Sequence, residues 1–272
     1  PQWNSEKDIW EWWVDGGHAT SRDGENWERT PVKQAPSHVI RDEQDKDPTR
    51  RYKGLFTGPG NNDHHPAISS DGLNWTMLDV PPIPSQDEHQ FTYDPYTKQY
   101  LAMVKHGTKW GRSVFLSTSK NFGNFTKPEL IFHSDEIDWE NRKKRVREVV
   151  ENPAYITPDI PDKEDYISEV YNMAIMPYEG FYIGFPVIFN PFAANPPPGM
   201  NYSRINQVEM SVSRDLYSWD RVADRALFLG IEPWDGKNYG CRGLLLSGQP
   251  IVRDDGEICI YYNALRAIQG DK

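Results

Sequence analysis

One seven-residue phrase returns four times along this chain. It reads Ser21-Arg-Asp-Gly-Glu-Asn-Trp27, then Ser69-Ser-Asp-Gly-Leu-Asn-Trp75, then a worn copy, Ser119-Lys-Asn-Phe-Gly-Asn-Phe125, and last Ser213-Arg-Asp-Leu-Tyr-Ser-Trp219. The starts lie 48, 50 and 94 residues apart. A period near fifty residues that carries strand signals belongs to a repeat architecture, and its length fits one blade of a β-propeller. The phrase itself reads as a turn. Its Asp can accept backbone N–H bonds, its Gly tolerates positive φ, and its Trp is placed to fill the space between neighbouring blades.

The strand signals around the phrase support this layout. In residues 87–127, Phe91-Thr-Tyr93 stops at the turn Asp94-Pro-Tyr-Thr-Lys98, Tyr100–Val104 resumes, and Ser113–Ser117 precedes the phrase and an outer piece near Phe125. The same order recurs at 168–222 and at 37–78. Residues 1–30 read as the later strands of a blade and residues 247–262 as the early strands of another. The expectation is an all-β, single-domain, five-bladed propeller of four-stranded antiparallel blades, with the first and last blades incomplete. Two insertions interrupt it. Residues 128–167 hold a helix start at Ser134-Asp-Glu-Ile137, with Ile137, Val146, Val149 and Val150 as one apolar stripe and Arg142-Lys-Lys-Arg145 as a solvated face. Residues 190–205, with Pro196-Pro-Pro198, read as a long hairpin loop.

Composition narrows the function classes. The formal charge is −10 over 272 residues, so the chain would repel phosphates and is a poor partner for nucleic acid or anionic lipid. No stretch approaches the ~18 apolar residues of a membrane span, and the mean hydropathy is −0.75. Ten Trp and fourteen Tyr serve packing between blades and, for some, stacking on sugar rings. Three sequons, Asn74-Trp-Thr, Asn124-Phe-Thr and Asn201-Tyr-Ser, would accept glycan only in a secretory setting, and a secreted or periplasmic location is the expectation. Cys259, inside an apolar run, reads as a buried free thiol, and Cys241 carries little information.

Two acids stand where an innermost strand begins: Asp87 in Gln86-Asp-Glu-His-Gln-Phe91 and Glu169 in Ser168-Glu-Val-Tyr-Asn-Met173. Polar groups follow each, His89 and Gln90 after the first, Tyr171 and Asn172 after the second. Carboxylates gathered near a propeller axis disfavour one another's ionisation, which can leave a proton donor near neutral pH. Paired carboxylates flanking a glycosidic bond are the usual equipment of glycoside hydrolysis. Cation binding or strand capping is the other reading of the same acids. Trp110 with Arg112, and Trp234 with Asp235, are candidates for substrate contact; Asp235 reads equally as a surface turn. Asp63-His-His65 is a weak metal candidate, because adjacent strand residues point to opposite faces. No cofactor is expected, and a structural calcium on the axis stays open.

The segment Asp15-Gly-Gly-His-Ala-Thr-Ser-Arg-Asp-Gly-Glu-Asn-Trp-Glu-Arg-Thr-Pro-Val32 resembles the Gly-His-Ala-Thr-Ser…Asn-Trp segment of the invertase and levanase type β-fructofuranosidases. Asp87–Val104 is similar to their Arg-Asp-Pro stretch, with Gln86 in place of Arg and Glu88 in place of Pro. Residues 111–138 and 171–184 resemble uncharacterised bacterial glycosidase-like propellers. The resemblance implies a glycoside hydrolase acting on an oligo- or polysaccharide, with Asp87 as transition-state stabiliser and Glu169 as general acid/base. The family's nucleophile, on the innermost strand of the first blade, would then precede residue 1. The rivals are a non-catalytic carbohydrate-binding propeller and a sialidase-like propeller, whose arginine cluster Arg112 and Arg242 alone do not supply.

Overall fold

The computed structural model describes residues 1–14, 17–32, 34–59, 62–156, 167–192, 204–253 and 255–265. Parts of both insertions (157–166 and 193–203), Pro196–Pro198, the sequon at Asn201, and Asp15 with Gly16 lie outside the described residues. The rest is mostly β-sheet with one α-helix. No helix among the described residues is long and apolar enough to cross a membrane.

Four consecutive short strands make the first sheet: β1 (Gln2–Asn4), β2 (Ile9–Val14), β3 (Gly17–Ser21) and β4 (Glu28–Thr30), antiparallel and in sequence order. The second repeats it with β5 (Ser37–Arg41), β6 (Tyr52–Thr57), β7 (His64–Ser69) and β8 (Thr76–Met77), and the third with β9 (Gln90–Asp94), β10 (Gln99–Thr108), β11 (Gly111–Ser119) and β12 (Glu129–Phe132). The last strand of each of the first two sheets is short and mostly exposed. A two- or three-residue edge offers little template for pairing with another chain.

After the helix α1 (Glu136–Glu151), the chain builds a larger sheet from β13 (Glu169–Tyr178), β14 (Phe181–Pro191), β15 (Arg204–Glu209), β16 (Ser211–Ser213), β17 (Trp219–Arg221), β18 (Leu227–Leu229) and β19 (Gly243–Leu246). The long β14 pairs with β16 through Tyr182–Gly184 and with β15 through Val187–Pro191, so one interrupted strand serves as its neighbour. A two-stranded sheet, β20 (Ile251–Val252) with β21 (Ile258–Cys259), comes next, and β22 (Tyr262–Leu265) returns to β19.

By backbone proximity the chain divides into two compact units. One is Pro1–Val104, Leu116–Glu129 and Gly248–Tyr261; the other is Lys105–Phe115, Leu130–Ser247 and Tyr262–Lys272. In the first, Trp13, Ala35, Val39 and Tyr52 form a buried cluster. In the second, Val146 and Val149 of α1 pack on Phe192, Ile205 and Ile231.

The repeated phrase is the turn expected. In the first copy Ser21 Oγ accepts from the Gly24 amide at 2.9 Å, Asp23 Oδ1 accepts from Glu25 and Asn26 at 2.9 and 2.8 Å, and the Trp27 indole donates to Gly24 O at 3.0 Å. The second and fourth copies repeat these bonds around Asp71 and Asp215. The fourth position always has positive φ, whether Gly24, Gly72, Phe122 or Leu216. Two of these are Gly for a second reason. A Cβ on Gly72 would lie 2.6 Å from Trp13 Cζ2, and one on Gly24 2.9 Å from Tyr261 Oη. Both of those side chains donate to the turn carbonyl, Trp13 at 2.7 Å and Tyr261 at 2.7 Å. The wedge between the first two sheets is therefore Trp13; the phrase Trp75 is half-buried and closes its own turn. Phe122 fills the corresponding space itself, fully buried against Phe91 and Tyr100.

Several expectations are corrected. Residues 1–30 hold a full four-stranded sheet, because the Ser5–Asp8 turn lets Gln2–Asn4 pair with Ile9–Glu11. The leading strand of that sheet is thus β1, whose Gln2, Trp3 and Asn4 include no carboxylate. The third sheet's outer strand starts at Glu129, just after Pro128, which has no N–H to give a ladder. At the C-terminal end the strands begin at Gly243 rather than 247, and β19 and β22 join the large sheet. The helix starts as expected, with Asp135 as N-cap and a capping box to Asp138. Its buried face is Asp138, Arg142, Val146 and Val149, whereas Ile137 and Val150 are 58% and 50% exposed. Arg142 is buried and donates to Pro191 O at 2.8 Å, and Arg145 is mostly buried against Glu209, so only Lys143 and Lys144 of the basic run face solvent. The buried cysteine is Cys241; Cys259 is half-buried, and neither forms a disulfide.

Candidate functional site

Glu169 opens β13, opposite Phe189 of β14, and its side chain is 19% exposed. Two groups of one residue hold its carboxylate. The Arg112 amide donates to Oε1 at 3.2 Å, and the Arg112 guanidinium pairs with Oε2. That approach is open only because residue 111 is Gly, with φ +77°; a Cβ there would lie 2.2 Å from Glu169 Oε1. A hairpin turn between β10 and β11 therefore presents a backbone amide and a guanidinium to one carboxylate.

Immediately after Glu169 the pairing of β13 with β14 shifts between Val170 and Met173. Tyr171 and Asn172 sit inside this bulge, and a bulge re-aims side chains next to it. Tyr171 stacks on Phe189 with centroids 5.9 Å apart and planes 12° from parallel. Lys105 Nζ lies 3.6 Å from the Tyr171 centroid. The guanidinium carbons of Arg112 and Arg204 lie 4.8 and 5.2 Å from the Phe189 centroid. Sequence reading did not reach Lys105, Phe189 or Arg204, because no local motif marks a residue whose role comes from its strand partners.

The remaining candidates of this unit have contacts of their own. Trp110 is stacked on His133 at 3.7 Å and 11°, with Lys109 Nζ 4.3 Å from its ring centroid. One indole face is thereby occupied, which leaves less of it for a sugar ring. Asp235 is exposed and accepts from the Lys237 and Asn238 amides, each at 2.7 Å. This is the turn alternative, and those amides hold its carboxyl below the usual range. Trp234 donates its backbone N–H to Ala154 O at 2.8 Å. A second charged group docks the helix: Arg221 and Arg225 reach buried Asp138, and Arg145 reaches buried Glu209 at 2.6 Å.

Asp87 lies in the other unit, half-buried, in the segment leading into β9. The segment is tied down by Ser85 Oγ donating to Asp87 O at 2.9 Å, by Asp63 accepting from the Ser85 amide at 3.1 Å, and by Asn62 donating to Gln86 O at 2.9 Å. Gln90 is buried at the start of β9, opposite Met103. Buried His89 meets buried His64 with ring centroids 4.1 Å apart, and half-buried His38 at 5.4 Å. His64 is hydrogen-bonded to the Asp87 backbone.

His38 has φ +54° and lies in a bulge of β5, so a second leading strand is irregular at its entry. Burial pushes His64 down to about 4; burial, with repulsion from the N-terminal amine and His64, pushes His38 down to about 4; and burial, with repulsion from His64 and His38, pushes His89 well below its ordinary value. His64 and His89 each leave Nε2 without a hydrogen-bond partner among the described residues. His65 points away from this group and lines a separate cavity of about 470 Å³ with Phe56, Trp75 and Met77. The opposite-face reading of His64 and His65 thus holds. No three His, Cys, Asp or Glu among the described residues are arranged to hold a metal ion.

No protein-family model matches the chain, and no curated protein sequence does. Solved structures do. A glycoside hydrolase superposes with TM-score 0.53 and 14% identity, over 93% of this chain and 75% of its own. An N-acetylgalactosamine deacetylase from F. plautii, in complex with blood group B trisaccharide, gives 0.50 and 12%, over 91% and 70%. The β-fructofuranosidase of Schwanniomyces occidentalis, complexed with fructosyl-erythritol, gives 0.51 and 16%, over 90% of this chain and 47% of its own. Identities this low speak to the fold alone. In its fold, the chain is similar to the propellers of the glycoside hydrolases.

Proposed function

We propose that this protein cleaves a glycosidic bond in an oligo- or polysaccharide, with Glu169 as the group that hands a proton to the leaving oxygen. The observation that carries the reading is the seat of Glu169. It stands at the entry of a leading strand, ahead of a bulge, on a turn where only Gly111 admits its carboxylate. A structural ion pair needs no such accommodation; a group that must be held at a fixed angle does. Arg112 orients the carboxylate from two sides and leaves the remaining lone pairs to a ligand. Similar folds that hold a trisaccharide and fructosyl-erythritol support a carbohydrate ligand. Asp87 takes the stabilising role that the family resemblance gives it, a role Asp87→Asn tests.

One observation favours a second reading, a carbohydrate-binding propeller without turnover. Both oxygens of Glu169 already have partners in Arg112, and β1 brings no carboxylate to the first sheet. Exposure of the full chain to a panel of plant and microbial glycans separates the two. Release of new reducing ends by the wild type, lost by about 10²- to 10⁴-fold in Glu169→Gln while binding survives, supports hydrolysis. Equal turnover in Glu169→Gln removes that residue from the mechanism.

A further inference from the structure

Beside the second copy of the phrase, the second sheet carries a cavity of about 470 Å³. Pockets that hold small ligands run from about 300 to 1,000 Å³. Register explains its floor. Phe56 pairs with His65, Ala67 pairs with Met77, and His65 and Ala67 are two residues apart, so Phe56, His65 and Met77 project from one face. Trp75 closes one side. It lies over Gly54, where a Cβ would be 3.4 Å from Trp75 Cη2, and it meets Phe56 edge-on with centroids 6.2 Å apart. Its indole N–H is bonded to Gly72 O at 3.0 Å, so the ring is held in place before any ligand arrives.

Two other copies of the phrase fill the corresponding ground with their own side chains. In the first, Trp12 takes the register position of Gly54, and Trp27 packs edge-on to Trp12 at 5.2 Å and to Tyr261 at 6.1 Å. In the fourth, the position of His65, four residues before the phrase Ser, belongs to Glu209, which is fully buried and gripped by Arg145 and Arg221. In the second copy Trp75 stays half-buried and Met77 is 62% exposed.

The geometry points to a second glycan site in this cavity, one that takes neutral sugar units and shares no residue with the Glu169 group. Charged residues make up 26% of the chain, yet none of the described residues lining the cavity is Asp, Glu, Lys or Arg. An ionic ligand would find no fixed countercharge there. A purely apolar ligand would cover the polar side chains of Gln34, Thr57, His65 and Asn74 and leave them without water. An extended peptide would need a sheet edge, and β8 offers two residues. A sugar ring answers both kinds of wall. Its flat faces carry C–H bonds that stack on Trp75 and Phe56, and its rim carries hydroxyls that exchange hydrogen bonds with amide, hydroxyl and imidazole groups. The choice of sugar rests on the carbohydrate reading above.

The test is NMR of the full chain labelled with ¹³C in its methionine methyl groups. Six methionines give six signals, and that of Met77 is identified by its loss in Met77→Leu. Trimers of neutral glucose, mannose, xylose, arabinose and fructose units are titrated to about 10 mM, with trigalacturonate and p-cresol as the charged and apolar probes. The expected result is a saturable shift of the Met77 methyl with at least one neutral trimer. Its Kd should rise about tenfold in His65→Ala and about fivefold in Gln34→Ala. Gln34 is exposed, so its variant keeps the fold. No shift with any neutral trimer, or a Kd unchanged in both variants, overturns the proposal. So does a Met77 shift produced equally by p-cresol or by trigalacturonate, or by concentrating the protein alone, which would make a second copy the occupant. Turnover of the same trimers keeps the two readings apart. Met77 shifts without cleavage of any glycan uphold the cavity site and refute hydrolysis. Cleavage with the Met77 signal unmoved does the reverse.

Discussion

Gly111→Ala places one methyl group against the proposed proton donor. With φ at +77°, the new Cβ falls 2.2 Å from Glu169 Oε1, 2.6 Å from its Cγ and 2.7 Å from its Cδ. Ordinary contact begins at 3.4 Å, so the carboxylate retreats by about 1.2 Å. The Arg112 amide, at 3.2 Å from Oε1, then loses its acceptor. A left-handed Ala costs about 1–2 kcal/mol of stability by itself. Displacement of a reacting group by about 1 Å costs about 10²-fold in rate. Gly180 supplies the control. It has φ +81° in the β13–β14 turn, and a Cβ there meets nothing within 4 Å. Gly180→Ala therefore carries the backbone cost alone. Urea midpoints and initial rates on the cleaved glycan measure both effects. The expected result is a lowered midpoint in both variants and a loss of rate, near 10²-fold, only in Gly111→Ala. Equal rates in the two variants would refute the argument that residue 111 is Gly so that Glu169 can be seated.

The histidine group predicts acid sensitivity. The folded values of His38, His64 and His89 lie below the ordinary value of 6.5. Above that value both states are neutral and nothing is gained or lost. As pH falls from 6.5 towards 4, the unfolded chain takes up protons that the folded chain refuses, so stability declines. For fully buried His64 the loss is about 3 kcal/mol at its limit; urea midpoints at pH 7.5, 6 and 5 should fall less steeply in His64→Gln than in the wild type. Lys53, 1% exposed, bonds Asp42 at 2.8 Å and Asp45 at 2.9 Å. Lys53→Met leaves two carboxylates facing each other and should cost about 3 kcal/mol in denaturant melts, with recovery in a Lys53→Met, Asp42→Asn double variant. Gly72→Ala drives a Cβ to 2.6 Å from Trp13 Cζ2, whereas Leu216 carries its side chain at the same turn position. Gly72→Ala should therefore lower the thermal midpoint by several degrees, whereas in Leu216→Gly the lost burial is partly offset by relief of the left-handed backbone (φ +73°), so its midpoint should fall less; differential scanning calorimetry measures both.

The repeat was legible because each copy needs the same local chemistry: a Ser and an Asp that accept amides, a residue at positive φ, and an aromatic that returns its N–H to the turn. Strand order within 37–78 and 168–222 followed from those turns. The helix cap was legible for the same reason, since Asp135 and Asp138 satisfy each other within four residues. What failed was long-range. Arg142 looks like surface by its neighbours in sequence, yet its environment is set by Pro191, which no spacing rule connects to it. Trp13 shows no sign of being a wedge until Gly72 arrives beside it. The candidate acids were found by their position ahead of strands, but the bulges that follow Glu169 and hold His38 have no signature in the chain. Nor did His38, His64 and His89 announce a group, because residues drawn from β5, β7 and the segment before β9 are written nowhere in one place.

The role of Glu169 is tested most directly by varying the leaving group. A proton donor matters for an alkyl or sugar aglycone, which departs poorly without a proton, and hardly at all for 2,4-dinitrophenolate, which departs unaided. The first-turnover rates of wild type and Glu169→Gln are compared on both kinds of glycoside of the sugar that the protein cleaves. The account predicts a gap of about 10²-fold or more on the sugar aglycone that closes to near equality on the dinitrophenyl glycoside. The same gap on both substrates would contradict it and return Glu169 and Arg112 to the standing of a structural ion pair.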